Sequence, residues 1–120
     1  MLVEQRTYTV APGRLRGYLQ LYEQHGVQVH AEVLGHWLGC YATEVGPLNQ
    51  VVHLWGFASF EDRLARRDRL QADPRWRDWL GRAAGLVVQQ ESRLLLPAPF
   101  TPAAAALSPG RAAAGSASRA

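Results

Sequence analysis

Alternation of apolar and polar residues marks four segments of the chain as β-strands. The first covers residues 2–10, where β-branched and aromatic side chains are frequent. The others cover 36–44, 50–58 and 86–96, and a Gly-Pro-Leu-Asn turn at 46–49 joins the middle two. These segments predict a sheet with a hairpin at its centre.

Helical spacing of apolar residues fills the two gaps between the outer strands and the hairpin. Residues 13–33 carry one apolar stripe, and Gly35 stands where that helix would end. Ser59 is placed to cap a second helix, while Asp73 and Pro74 begin a short third one. The order β-α-β-β-α-β predicts an α+β fold of the ferredoxin-like type, in which helices cover one face of a four-stranded antiparallel sheet.

Strict alternation divides the hairpin residues between the two faces of this sheet. One set is small and aliphatic, which suits close packing under helices. The other set is large and aromatic, and it is predicted to lie on the uncovered face: Trp37, Tyr41, His53, Trp55 and Phe57. Burying a large side chain contributes roughly 1.5–3 kcal/mol. We therefore expect two copies of the chain to pack sheet against sheet.

The interior of such a dimer is also the candidate functional site. By the same alternation Glu4, Arg6 and Tyr8 join it from the first strand, and buried charges need partners, water or a ligand. His53 is the candidate general base, because imidazole titrates near neutral pH. The alternative is a histidine that only makes hydrogen bonds within the dimer. The candidate ligand-binding residues, as cavity walls or as the dimer face, are Trp37, Tyr41, Trp55 and Phe57.

The remaining histidines, tryptophans and arginines form no recognisable catalytic, metal-binding or cofactor-binding motif. His25 and His30 lie five apart on a helix and point in different directions, so no metal-ligand set is predicted. Trp76 and Trp79 are interpreted as packing anchors. A basic cluster interleaved with acidic residues is interpreted as a solvated helix face: Arg63, Arg66, Arg67 and Arg69. Since no glycine-rich phosphate loop occurs either, the sequence predicts neither a metal nor a cofactor.

Composition and charge limit the possible binding partners and the cellular location of the protein. The net charge of +3 includes Arg111 and Arg119 near the end of the chain. The remainder is too balanced to indicate nucleic acid or an anionic membrane as a partner. The single Cys40 allows no internal disulfide and fits a reducing compartment. Without a signal-peptide pattern or an apolar run of ~20 residues, a soluble, cytoplasmic protein is expected.

The composition changes near Pro97, where the chain becomes rich in Pro, Ala, Ser and Gly. Such a segment has too little apolar surface to offset the entropy lost on ordering. We therefore predict one folded domain at residues 1–97 and a flexible tail at 98–120.

Four motifs resemble the NIPSNAP family and occur in the expected order: VEQRTYTVAPGRL, GPLNQVVHLWGFASFEDR, RLQADPRWRDWL and QQESRLLLP. The resemblance covers about residues 2–97, and the second motif is the most specific. It implies membership of the dimeric α+β barrel superfamily, which also includes cofactor-free monooxygenases, small isomerases and haem-dependent enzymes. The resemblance implies a small homodimer of undetermined role that binds a small ligand or partner proteins. The alternative is a cofactor-independent monooxygenase or isomerase acting in the barrel cavity, so whether the chain is an enzyme stays open.

Overall fold

The computed structural model describes residues 1–102 of the chain. Its elements are β1 Leu2–Val10, α1 Leu15–His25, α2 Val27–Leu34, β2 His36–Ala42, β3 Gln50–Phe57, α3 Phe60–Ala72, α4 Pro74–Arg82 and β4 Val87–Leu95. The strands lie in the order β2-β3-β1-β4, and every neighbouring pair is antiparallel. This arrangement confirms the predicted α+β ferredoxin-like fold. Among the helices of residues 1–102, none has the length and apolar character needed to cross a membrane.

Local side-chain chemistry sets several element boundaries. Ser59 Oγ accepts a hydrogen bond from the backbone N–H of Asp62 at 3.0 Å and caps α3. Asp73 accepts one from the N–H of Arg75 at 2.9 Å and caps α4. Gly35 ends α2 with a φ of 86°, a left-handed conformation that glycine adopts without strain. The predicted caps and helix end are confirmed.

The helix predicted at residues 13–33 is two helices, broken at Gly26. A Cβ atom there would lie 2.7 Å from Tyr22 Cδ1 and 3.0 Å from Trp79 Cδ2. Only glycine therefore lets Trp79 of α4 pack this closely against the junction of α1 and α2. The single-helix prediction was wrong because the apolar stripe continues across the break.

A β-bulge in β2 separates residues that strict alternation had placed together. Trp37 lies opposite Trp55 of β3, but the next pairing joins Gly39 to Leu54 and leaves one extra residue. Gly39 has a φ of 155°, and a Cβ there would lie 2.7 Å from the Tyr41 ring. Tyr41, beyond the bulge, consequently lies on the face opposite to Trp37.

The helices cover the aromatic face of the hairpin, so the predicted face assignment was wrong. Three predicted dimer-face residues are 0% exposed within one chain: His53, Trp55 and Phe57. The ring of His53 lies 5.1 Å from that of Tyr22 in α1. The larger rings take the side that the helices bury, because that burial removes the most apolar surface from water. Val52 and Leu54 alternate with them and lie on the open face.

The described chain continues past Pro97, the predicted end of the folded domain. The backbone N–H of Thr101 donates to the carbonyl of Ala98 at 2.9 Å and forms a turn. The tail predicted at 98–120 lies outside the described residues beyond position 102. The predicted domain boundary and the flexible tail therefore stay predictions.

Candidate functional site

The structure brings the four predicted catalytic residues together beneath the helices. Arg6 lies opposite His53 in the pairing of β1 with β3. Arg6 donates hydrogen bonds to Glu4 Oε2 at 2.9 Å and to the Tyr8 hydroxyl oxygen at 3.0 Å. The ring of Tyr8 is 5.1 Å from that of His53. The four side chains form one continuous cluster, while their catalytic role stays a prediction.

Three of the four predicted ligand-binding residues lie on the same side of the sheet. The rings of Trp37 and Trp55 are 6.4 Å apart, and Phe57 is fully buried. Tyr41 is the exception, since it is 59% exposed on the open face. Three of the predicted residues therefore do lie together, but they lie under the helices rather than between two sheets.

Glu4 is the centre of an ion-pair network, and the sequence predicted partners for this buried charge but not that α3 supplies them. Arg63 donates to both carboxylate oxygens, at 3.1 and 3.0 Å, and the Ser92 hydroxyl donates to Oε2. Arg67 lies 3.7 Å from Oε1. Burial alone would raise the pKa of the Glu4 carboxyl. Hydrogen bonds from Arg63, Ser92 and Arg6 outweigh burial and lower that pKa to about 2.

Arg63 and Arg67 correct the interpretation of the basic cluster as a solvated helix face. Their side chains are only 16% and 17% exposed. Burial, followed by the neighbouring Arg6, lowers the pKa of the Arg67 guanidinium. With the fully buried Leu70 the two arginines occupy positions i, i+4 and i+7 of α3, a spacing that could have placed them inward. Arg66 keeps the predicted role of a partly exposed partner for Asp62.

Two buried histidines form the second part of the site. The ring centroids of His30 and His53 are 5.8 Å apart, and His30 Nδ1 is hydrogen-bonded to the Tyr22 hydroxyl at 2.7 Å. Within residues 1–102, His30 Nε2 and both ring nitrogens of His53 have no hydrogen-bond partner. Burial, with a contribution from Arg6, lowers the pKa of His53 to about 4, and burial also lowers that of His30. Both imidazoles are therefore neutral at pH 7, and each retains unused hydrogen-bonding capacity.

A cavity of about 200 Å³ opens between α1, α4 and the sheet beside these histidines. Its walls include Tyr8, Tyr22, His30, Trp76, Trp79 and Gln90. No charged side chain lines it among the described residues. The cavity thus joins flat apolar walls to a few polar groups, which is the usual character of a small-molecule site.

Sequence reasoning missed Tyr22 and His30, and it assigned Trp76 and Trp79 to packing alone. Tyr22 and His30 lie on either side of the Gly26 break, so helical spacing could not show that they meet. The amphipathic pattern of α4 places both tryptophans on its buried side. A glycine inside an apolar stripe was the available signal for a close approach of another element.

The described part of the chain has the residues of neither a metal site nor a reactive thiol. No group of three or more His, Cys, Asp or Glu side chains there could hold a metal ion. Cys40 is half-buried and lies opposite His53 in the β2–β3 pairing. Burial raises the pKa of its thiol to about 11, which disfavours the reactive thiolate. The cytoplasmic location expected from this single cysteine stays a prediction.

Comparison with known proteins identifies the family. Residues 3–102 match the NIPSNAP family model. The chain belongs to the NIPSNAP family. A NipSnap homolog from Dictyostelium discoideum is 33% identical over 94 residues, which are 78% of this chain and 41% of that protein. The chain spans about two fifths of the length of the curated NipSnap relatives it matches.

Solved structures agree with this membership. A NIPSNAP family protein from Agrobacterium tumefaciens is similar with a TM-score of 0.82 and 40% identity, covering 84% of this chain and 96% of that one. A putative antibiotic biosynthesis monooxygenase from Nitrosomonas europaea has a TM-score of 0.60 at 11% identity, covering 81% and 98% of the two chains. The second likeness shows a shared fold alone.

Proposed function

We propose that this NIPSNAP protein is a homodimer in which each copy binds a small one-ring molecule beneath its helices. The observation that carries the proposal is the cavity of about 200 Å³ between α1, α4 and the sheet. Sites for drug-sized ligands commonly enclose roughly 300–1,000 Å³. The smaller volume limits the ligand to about one substituted ring, for which Trp76 and Trp79 offer flat walls.

Unsatisfied polar atoms near the cavity support a ligand with a polar group. His30 lines the cavity, and its Nε2 has no partner within residues 1–102. Leaving a buried polar atom unpaired costs about 1–3 kcal/mol. A ligand that supplies the missing hydrogen bond would recover part of that cost, which gives the site a reason to prefer polar-headed compounds.

Narrowing the cavity should weaken binding without unfolding the protein. Ala84 is exposed and lies at the cavity rim, so Ala84→Leu should place a larger side chain in the entrance. We expect a screen of one-ring acids, amides and amines by ligand-observed NMR to give saturable binders that Ala84→Leu weakens at least about tenfold. Ala65→Leu, an exposed position on α3, is the matched control. Binders that Ala84→Leu leaves unaffected would place the ligand elsewhere.

The dimer part of the proposal rests on the open face of the sheet. Val3, Val52 and Leu54 alternate with the buried residues of their strands and are only partly covered in a single chain. Tyr41 adds an exposed ring to the same face. These apolar side chains share the open face with the exposed Arg93–Glu91 pair, and burying them favours pairing with a second copy about a two-fold axis.

A charge on the open face should separate the two copies. In a two-fold interface Leu54→Arg introduces two guanidinium groups, while Glu91 on this face already pairs with Arg93, so the added charge is strongly unfavourable when buried. We expect multi-angle light scattering to give twice the 13.3 kDa chain mass for the parent protein and the single-chain mass for the variant. Leu64→Arg, at an exposed apolar position on α3, should remain a dimer. A monomeric parent at micromolar concentration would rule out this part of the proposal.

A second candidate is a cofactor-independent isomerase or monooxygenase, and one observation favours it. The Tyr22 hydroxyl is hydrogen-bonded to Nδ1 of the cavity-lining His30, and Nε2 has no partner within residues 1–102, so it is free for proton transfer. The lowered pKa of His30 makes it a weak base, so we rank ligand binding first. Conversion of a bound compound to a new product, followed by mass spectrometry, would reverse that order.

A further inference from the structure

Positive charge exceeds negative charge in the buried cluster beside the cavity. Arg6, Arg63 and Arg67 each have a nitrogen within 3.7 Å of a Glu4 oxygen. Within residues 1–102 none of these arginines forms an ion pair with any other carboxylate. Three guanidinium groups therefore share one carboxylate. Guanidinium stays protonated in proteins, so the surplus cannot be removed by deprotonation.

Glu4 does not satisfy Arg67 by a hydrogen bond, although among the described residues its Oε1 accepts only from Arg63 Nε. Its Oε2 already accepts from Arg6, Arg63 and the Ser92 hydroxyl. The Arg67 Nη1 atom is buried and has no hydrogen-bond partner in the described residues, since 3.7 Å to Oε1 is too long for a hydrogen bond. A buried charge in this condition is destabilising unless another anion joins it.

Tyr8 connects the arginine cluster to the cavity. Its hydroxyl oxygen accepts a hydrogen bond from Arg6 Nε at 3.0 Å, and the Arg6 guanidinium carbon lies 5.7 Å from its ring centroid. Tyr8 is also a cavity wall. Because the oxygen accepts from Arg6, the hydroxyl proton remains available for donation to another acceptor. The ring centroid of His53 is 5.1 Å from that of Tyr8, and neither of its ring nitrogens has a hydrogen-bond partner in the described residues. Its N–H is therefore a second available donor, after the Tyr8 hydroxyl.

We propose that the ligand of this cavity is an organic anion, a carboxylate or comparable oxyanion carried on a single ring. The proposal rests on the function proposed above, since it takes the cavity to be the binding site. The arginine surplus supplies the opposite charge, and no acidic side chain among the described lining residues cancels its field. An amine of the same shape is repelled, and a neutral amide lacks the Coulomb attraction.

Three probes of one shape test the charge preference on the unmodified protein. Benzoate, benzamide and benzylamine are titrated at pH 7, with tryptophan fluorescence as the signal because Trp76 and Trp79 line the cavity. We expect benzoate to bind at least about tenfold more tightly than benzamide, and benzylamine not to bind. Equal affinities for benzoate and benzamide would overturn the charge inference and leave the proposed function standing. Binding of none of the three would overturn the proposed function as well.

Arg67→Gln tests whether the arginine cluster is the source of the preference. Glu4 keeps Arg6, Arg63 and Ser92 as donors in this variant, so we expect it to fold, which thermal unfolding checks. Benzoate affinity should fall about tenfold while benzamide affinity stays the same. Arg69→Gln, at an exposed position of the same helix, should change neither. An equal loss for both compounds in Arg67→Gln would show a purely structural role and overturn the inference.

Discussion

Replacing Glu4 with glutamine should lower the free energy of unfolding by about 3–5 kcal/mol at pH 7. The substitution keeps the volume of the side chain and removes the one negative charge that Arg6, Arg63 and Arg67 share. Removing one partner from a buried ion pair leaves uncompensated charge, which is far more costly than losing an exposed pair. Urea denaturation monitored by tryptophan fluorescence measures the change.

Glu32→Gln is the matched control for that measurement. Glu32 pairs with Arg75 at 3.0 Å, but both side chains are exposed, so this substitution should leave stability nearly unchanged. The buffer must contain no oxyanion, because a bound anion could partly replace the missing carboxylate. Equal stability of Glu4→Gln and the parent under these conditions would contradict the charge balance described for the cluster.

The ion-pair network of Glu4 should also make the free energy of unfolding depend on pH. The pKa of Glu4 is lowered from 4.5 to about 2 in the folded state, so the unfolded chain binds the proton more readily. Its contribution is present above pH 4.5 and is lost as the pH falls toward 2. The shift corresponds to at most about 3 kcal/mol, and solvent around the partly exposed arginines reduces this to about 2 kcal/mol. The Glu4→Gln variant should not show this loss of stability between pH 4.5 and 2 in urea denaturation.

Element order and helix caps could be predicted because each depends on local residue chemistry, and the order β-α-β-β-α-β then implies the strand pairing. Ser59 and Asp73 accept hydrogen bonds from nearby backbone N–H groups, and Gly35 takes a conformation that other residues avoid. Such features are readable from a few neighbouring residues. The fold class followed from them without information on distant contacts.

The two faces of the sheet could not be assigned in the same way. Alternation separates two sets of residues but does not state which set the helices cover. Gly39 adds a bulge that moves Tyr41 to the other face from Trp37, and no rule of alternation reveals an extra residue. The prediction also assumed that small side chains pack under helices, whereas Trp55 and Phe57 occupy that space.

The candidate site was predictable only as far as the strands contribute to it. Glu4, Arg6 and Tyr8 share one face of β1, and their association with His53 follows from the pairing with β3. His30 and the inward arginines come from helices. Their approach depends on how each helix is rotated over the sheet, and that rotation is fixed by long-range packing such as Trp79 against Gly26.

Acidification from pH 6.5 to 4 should destabilise the protein through His53. Burial and the neighbouring Arg6 lower its pKa from 6.5 to about 4, so the unfolded chain binds a proton more readily in this interval. Stability is therefore present above pH 6.5 and is lost as the pH falls toward 4. The shift corresponds to about 3 kcal/mol. His30 faces His53 and its pKa is lowered in the same direction, so it adds to the loss.

His53→Gln separates the contribution of His53 from that of its neighbours. Glutamine keeps a polar group beside Tyr8 and Tyr22 but does not titrate, so the free energy of unfolding should change less steeply between pH 4 and 6.5. Urea denaturation at half-unit pH steps measures the slope. An unchanged slope in His53→Gln would mean that His53 takes up its proton in the folded protein as readily as in the unfolded chain. That result would contradict its burial next to Arg6, because a positive charge there would have neither a partner nor water to stabilise it.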